Sequence, residues 1–190
     1  MGALFFAVRL HRADRQLCSR WLSGISHLGP GLIPVAPEDL HYTVLFLGRP
    51  PAVERASALA LGSRVASASP PFLLLPGGLG KFGAALRPTV LWLGVRVGEE
   101  ALRALNRDLE RQAAEVGLPH DSTRFVAHCT LARVRRGSGP DVVARLEELG
   151  SPLDEVVARP RTVGRFELLE SVPAPAGAAR YRTVAAFQFG

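Results

Sequence analysis

LHYTVLFLG at 40–48 and FVAHCTLARV at 125–134 carry one short pattern twice: His41-Tyr42-Thr43-Val44 in the first, His128-Cys129-Thr130-Leu131 in the second. Both read as strands. Pro37 precedes the first and Pro50-Pro51 follows it, while Gly137 to Pro140 breaks the chain after the second. Successive side chains on a strand alternate faces, so a His and a Thr two apart share one surface. Tyr42 or Cys129, and Val44 or Leu131, then turn to the opposite face, toward a core. Two such strands across a groove would present two imidazoles and two hydroxyls to it, as two lobes related by an approximate two-fold would do. The chain holds five His and six Thr. Two such coincidences arise in about one sequence in a hundred of this composition, so the pair carries weight that a lone His-x-Thr would not.

The remaining segments alternate strand and helix patterns. ALFFAVRL (3–10) is a strand, and Arg12 to His27 repeats Leu17, Trp21, Leu22 and Ile25 at helical spacing until Gly29-Pro30-Gly31. Ala52 to Ala68 reads as a helix stopped by Pro70-Pro71. FLLLP (72–76) and TVLWLGVRV (89–97) read as strands joined by a Gly-rich connection at 77–83. Glu99 to Val116 is the clearest helix, with acidic residues in its first turn and Leu102, Leu105, Leu109 and Val116 on one face. A short helix at 141–149 follows, then strands at 153–158, 162–171 and 180–189. Without strict βαβ repetition this order predicts an α+β fold with largely antiparallel sheets, and no linker divides residues 1–190 into separate domains.

Composition narrows the setting. Apolar residues at 47% and charged residues at 21% exclude wholesale disorder. No apolar run approaches the ~20 residues of a membrane-spanning helix, and Met1 to Leu10 lacks the basic start of a signal peptide. Two cysteines, Cys18 and Cys129, make neither a disulfide scaffold nor a four-thiolate zinc site, so a reduced, cytoplasmic setting is expected. The net charge is +6, carried by 22 Arg and the single Lys81. Arg forks match phosphate oxygens, which suits a polyanionic partner; a codon bias toward Arg and Ala gives the same count.

Two histidines can serve as general acid and general base near neutral pH, because imidazole titrates there. Thr hydroxyls can donate to the non-bridging oxygens where charge builds in phosphoryl transfer, and in-line displacement places the attacking and leaving oxygens on opposite sides. The reactive nitrogens are expected on the order of 6–8 Å apart. A strained five-membered cyclic phosphate needs no metal for this.

At these residues the chain resembles the two-histidine phosphoesterase superfamily, and within it the RNA 2′,3′-cyclic phosphodiesterases, the LigT-like 2′-5′ RNA ligases. The resemblance runs through ALFFAVRL, PEDLHYTVLFLG, GLGKFG with TVLWLGV, FVAHCTLARV and FELLESVPAPAGAARYRTVAAF. Ala127 departs from it, standing where the family usually has Pro. The resemblance implies a bilobal α+β fold: two mainly antiparallel sheets flank a central cleft, helices lie outside, and the halves are pseudo-two-fold. It implies opening of a terminal 2′,3′-cyclic phosphate on RNA to a 2′-phosphate, and the reverse 2′-5′ ligation. Neither metal nor cofactor takes part. By the resemblance His41 is the proton donor and His128 the proton acceptor, a division that the spacing does not make, and Thr43 and Thr130 hold phosphate oxygens. The implied partner is RNA ending in a cyclic phosphate, tRNA fragments among the candidates, bound by a monomer with no membrane role.

Secondary candidates flank the motifs. Arg133 lies five residues after His128, an offset that in a regular strand aims it away from the cleft; reaching the phosphate requires a bulge or the strand's end, and otherwise it is a solvated arginine. Phe46 and Tyr42 can stack on a base or pack in a core, and alternation favours the core for Tyr42. Arg124, Arg135 and Arg136 extend the basic surface or are simply solvated. Cys129, opposite in sense to His128, reads as a buried thiol and not a nucleophile. GLGKFG lacks P-loop spacing. His11 and His27 flank a helix as surface or capping residues, and His120-Asp121 and Glu147-Glu148 need no role beyond solvation. The rival class is a non-catalytic RNA or nucleotide binder using the same cleft.

Overall fold

The computed structural model describes residues 2–24, 31–52, 54–84, 87–135, 159–173 and 179–190. Among the described residues nine strands lie in the order β7-β4-β5-β6-β3-β1-β8-β9, with β2 also on β6, and every pairing there is antiparallel. Their ranges are β1 Leu4–Arg9, β2 Leu32–Pro34, β3 His41–Gly48, β4 Phe72–Ala84, β5 Arg87–Val97, β6 Cys129–Val134, β7 Arg161–Val163, β8 Arg165–Pro173 and β9 Ala179–Gln188. The helices are α1 Arg12–Gly24, α2 Glu54–Ala68 and α3 Glu99–Glu115. The fold is a mixed α+β one with helices flanking the sheet.

One core runs under the whole sheet. Leu61 and Val65 of α2 and Leu102, Leu105 and Leu109 of α3 are buried against Phe6, Val44, Leu93 and Phe166 from the strands. Glu99 and Glu100 open α3 where carboxylates meet the positive end of the helix dipole. Cys18 and Leu22 are the buried hydrophobic positions of α1; Ile25 and His27 lie outside the described residues. The segments expected as a helix at 141–149 and a strand at 153–158 also lie outside them.

Four elements differ from the sequence reading. The Gly-rich stretch 77–83 is no connection but the second half of β4, paired with β5. Ladder bonds need no side chain, and the missing ones make room: a Cβ on Gly80 would fall 2.2 Å from the Trp92 ring. The second motif's strand begins at Cys129, since Arg103 Nη1 donates to Phe125 O and His128 Nδ1 to Val126 O, taking carbonyls a ladder would use. The stretch 162–171 divides at Gly164 into β7, paired with β4, and β8, paired with β1 and β9. The three-residue β2 was too short to register as a pattern.

Candidate active site

The two motif strands meet. β3 and β6 pair at one position only, Tyr42 opposite Cys129, and this seam joins the half-sheet β7-β4-β5-β6 to the half-sheet β3-β1-β8-β9. Tyr42 and Cys129 are wholly buried, and the Tyr42 hydroxyl donates to Gly94 O on β5 at 2.8 Å, tying the halves together beneath the sheet. Burial pushes both the Tyr42 hydroxyl and the Cys129 thiol far above their ordinary pKa values, which makes Cys129 an inert core thiol.

His41, Thr43, His128 and Thr130 therefore rise together from the opposite face, all half-buried. An antiparallel pair has a local two-fold axis through its opposed residues. Here that axis carries His41 onto His128 and Thr43 onto Thr130. Continuing the register by one residue sets His41 opposite Thr130 and Thr43 opposite His128. The histidines are then diagonal neighbours, a relation that sets residues roughly 7–8 Å apart with their Cβ atoms somewhat closer.

An irregularity that the sequence hid recurs on both motif strands. On β3 the partners of Phe6 and Ala7 are Leu45 and Thr43, so Val44 is an extra residue in the ladder. On β6 the partners of Trp92 and Leu91 are Thr130 and Ala132, so Leu131 is the extra one. Each motif thus bulges at the residue after its Thr. Val44-Leu45 and Leu131-Ala132 are consecutive buried pairs, and the alternation resets. Phe46 and Arg133, each five residues past a motif His, return to the face of the histidines, and both are exposed. Phe46 is 42% exposed and stacks on Phe5, so it is a face residue and not a core one. The bulge carbonyls are satisfied off the ladder: Asn106 Nδ2 of α3 donates to Val44 O, and Val35 N donates to Leu131 O, both at 2.8 Å.

Both imidazoles are anchored alike. His41 Nδ1 donates to Asp39 O and His128 Nδ1 to Val126 O, each a carbonyl two residues earlier. A carbonyl only accepts, so Nδ1 keeps its proton and Nε2 is left as the nitrogen that can take one up or give one. Thr43 Oγ1 lies 3.1 Å from His41 Nε2 and donates to it while that nitrogen is neutral. Aromatic rings wall each imidazole: Phe5 and Tyr181 lie 5.2 and 4.9 Å from His41, Phe82 and Trp92 4.8 and 6.2 Å from His128. These walls come from four other strands, and no local signal marked them. Burial pushes the His41 pKa down to about 4, against the bond to Asp39 O, and the charges of Arg9 and His128 lower it further. The imidazole is neutral at pH 7.

A cavity of about 300 Å³ lies beside His128 and Thr43, lined also by Phe46, Phe82, Arg124 and Phe125 and, from below, by Val44, Leu45 and Asn106; His41, Thr130 and Arg133 do not line it. Arg124 and Arg135 are exposed, and Arg136 lies outside the described residues. Asp121 N donates to Phe46 O, latching the segment before β6 to β3, and His120 Nδ1 donates to Leu118 O, so neither residue is merely solvated. His11 caps α1 by accepting from Ala13 N. Among the described residues no three His, Cys, Asp or Glu side chains gather as a metal site, and no helix is long and apolar enough to cross a membrane.

Residues 14–170 match the family model of the 2′-5′ RNA ligase superfamily. An RNA 2′,3′-cyclic phosphodiesterase of Geobacillus stearothermophilus is 33% identical over 96% of this chain, the matched stretch spanning 56% of that protein. The crystal structure of TT0787 from Thermus thermophilus superposes with a TM-score of 0.80 at 27% identity, covering 98% of this chain and 97% of that one. Escherichia coli LigT complexed with 3′-AMP superposes at 0.73 and 27% identity, covering 99% of this chain and 98% of that one. The chain belongs to the 2′-5′ RNA ligase superfamily of two-histidine phosphoesterases, within its LigT-like family of RNA 2′,3′-cyclic phosphodiesterases.

Proposed function

We propose that this protein hydrolyses the 2′,3′-cyclic phosphate at the end of an RNA to a 2′-phosphate, with His41 and His128 as the acid and base. The observation that carries the reading is the Tyr42–Cys129 pair, which places both imidazoles on one face with matched carbonyl anchors. His128 Nε2 takes a proton from water as its oxygen bonds to phosphorus. The bond from phosphorus to O3′ breaks on the opposite side, and His41 Nε2 delivers its proton to the departing O3′. Thr43 and Thr130 donate to the non-bridging oxygens, Arg133 balances their charge, and Phe46 offers a face to the terminal base. The same groups run the reverse 2′-5′ ligation.

His41 is neutral in the free protein, so the proton it delivers arrives with substrate. A phosphate anion at Nε2 offsets the burial and the neighbouring Arg9 charge that hold its pKa down. The 3′-AMP held by the E. coli relative is a ribonucleotide monophosphate, the chemical kind of ligand this cleft would take. In this reading the two half-sheets act as pseudo-two-fold lobes, each supplying one motif to the cleft between them. A monomer suffices, since both motifs belong to one chain.

The test is turnover of an oligonucleotide ending in a 2′,3′-cyclic phosphate, in EDTA, with the product's phosphate position identified by NMR. A 2′-phosphate is expected. Binding without turnover would mean a non-catalytic RNA-binding module, and a 3′-phosphate product would reverse the direction of ring opening.

A further inference from the structure

A second cavity, of about 350 Å³, lies between the start of α1, the end of β1 and the turn from β7 to β8. Five arginines line it, Arg9, Arg12, Arg15, Arg161 and Arg165, against two carboxylates, Asp14 and Glu167, an excess of three positive charges. Both carboxylates are buried and already committed. Asp14 accepts from Arg161 at 3.2 Å, and Glu167 accepts from Arg9 at 3.0 Å and from Thr183 at 2.9 Å, with Arg165 at 3.4 Å. Arg12 and Arg15 make no ion pair among the described residues. Like charges gathered in a concave wall repel one another and focus a positive potential outward, and guanidinium forks match phosphate oxygens.

The position matters as much as the charge. Arg9 stands directly opposite His41 in the β1–β3 register, on the same face. Its guanidinium is spent on Glu167, Glu38 O, Tyr181 O and Thr183, which makes it a fixed wall between the two regions. Beyond that wall Arg12 and Arg15 remain to be neutralised.

We propose that this cavity holds backbone phosphates of the RNA upstream of the reacting end, through Arg12 and Arg15. The inference rests on the cleft being the cyclic-phosphate site and names what lies next to it. Each phosphodiester brings one negative charge, so a strand leaving the cleft past Arg9 supplies the charge the cavity lacks. An oligonucleotide, rather than a mononucleotide, is then the substrate the molecule is built for.

The experiment pairs wild type with the Arg12→Gln, Arg15→Gln double variant, two side chains without ion-pair partners in the described structure. Steady-state kinetics use 2′,3′-cyclic AMP and a ten-nucleotide RNA ending in a cyclic phosphate. Anisotropy measures binding of the same decamer ending in a 2′-phosphate, and of ATP. The variant should bind the decamer about tenfold more weakly at 0.1 M salt, with the slope of log K against log salt reduced by roughly 1.4 for two phosphate contacts. Its kcat/KM on the cyclic mononucleotide should be unchanged. Equal losses on both substrates, an unchanged salt slope, or weakened ATP binding with decamer affinity intact would overturn the proposal. If wild type turns over neither substrate, the catalytic reading fails, while decamer binding still decides whether this cavity holds RNA.

Discussion

His41 links the site to the stability of the fold, because the burial that tunes it also penalises its protonation. Its pKa is about 4 in the folded protein against an ordinary 6.5. Between those values the unfolded chain binds a proton that the folded chain refuses. Stability is therefore complete above pH 6.5 and falls as the pH drops toward 4. Integrating that difference from pH 8 to pH 4.5 gives a loss of about 2.5 kcal/mol attributable to this one ring. In urea, with a slope of about 2 kcal/mol per molar for a chain of this size, the midpoint shifts by about 1 M. The assay is urea unfolding of wild type and His41→Gln at pH 8, 6 and 4.5. The variant also loses the bond to Asp39 O, but that loss does not vary with pH, so the quantity read is the difference between the two pH slopes. Wild type should lose about 2.5 kcal/mol more than the variant on acidification. Parallel curves would refute a neutral His41 whose surroundings resist its protonation.

Other expectations follow from the same geometry. Asn106→Ala leaves the buried Val44 carbonyl without its donor and should cost about 1–3 kcal/mol in urea unfolding, with a rise in KM as the bulge that presents Phe46 relaxes. Gly80→Ala forces a Cβ into the Trp92 ring and should cost about 1–3 kcal/mol, with kcat falling because Trp92 walls His128; unchanged kinetics would detach that ring from the site. Thr43→Ala and Thr130→Ala should each lower kcat on the order of 10²-fold without unfolding the protein, read by steady-state kinetics beside circular dichroism. Binding of 2′-AMP at pH 7 should draw a proton from solution, measured by calorimetry in buffers of different ionisation enthalpy, and no uptake would contradict protonation of His41 by its ligand.

The site was legible where chemistry repeats locally and hidden where it depends on pairing. His41, Thr43, His128 and Thr130 announce themselves because strand alternation ties spacing to direction. Tyr42 and Cys129 were placed in the core by the same rule, and both are wholly buried. That rule failed at Phe46 and Arg133, since a bulge belongs to two strands at once and Val44 and Leu131 look like any other apolar strand residues. Phe5, Tyr181, Phe82 and Trp92 reach the imidazoles from strands distant in sequence, so only the sheet order reveals them. The glycines of β4 misled for a related reason. Their use is to accept Trp92 and Arg96 from the neighbouring strand, and a one-dimensional reading sees only a flexible run.

The most direct measurement of the central claim compares kcat on a cyclic-phosphate oligonucleotide for His41→Ala, His128→Ala and the double variant. Two imidazoles acting on one phosphorus work as a unit, so each single change should cost on the order of 10²–10⁴-fold and the double change little more than the worse single one. Losses that multiply in the double variant, or a single variant with wild-type turnover, would contradict it.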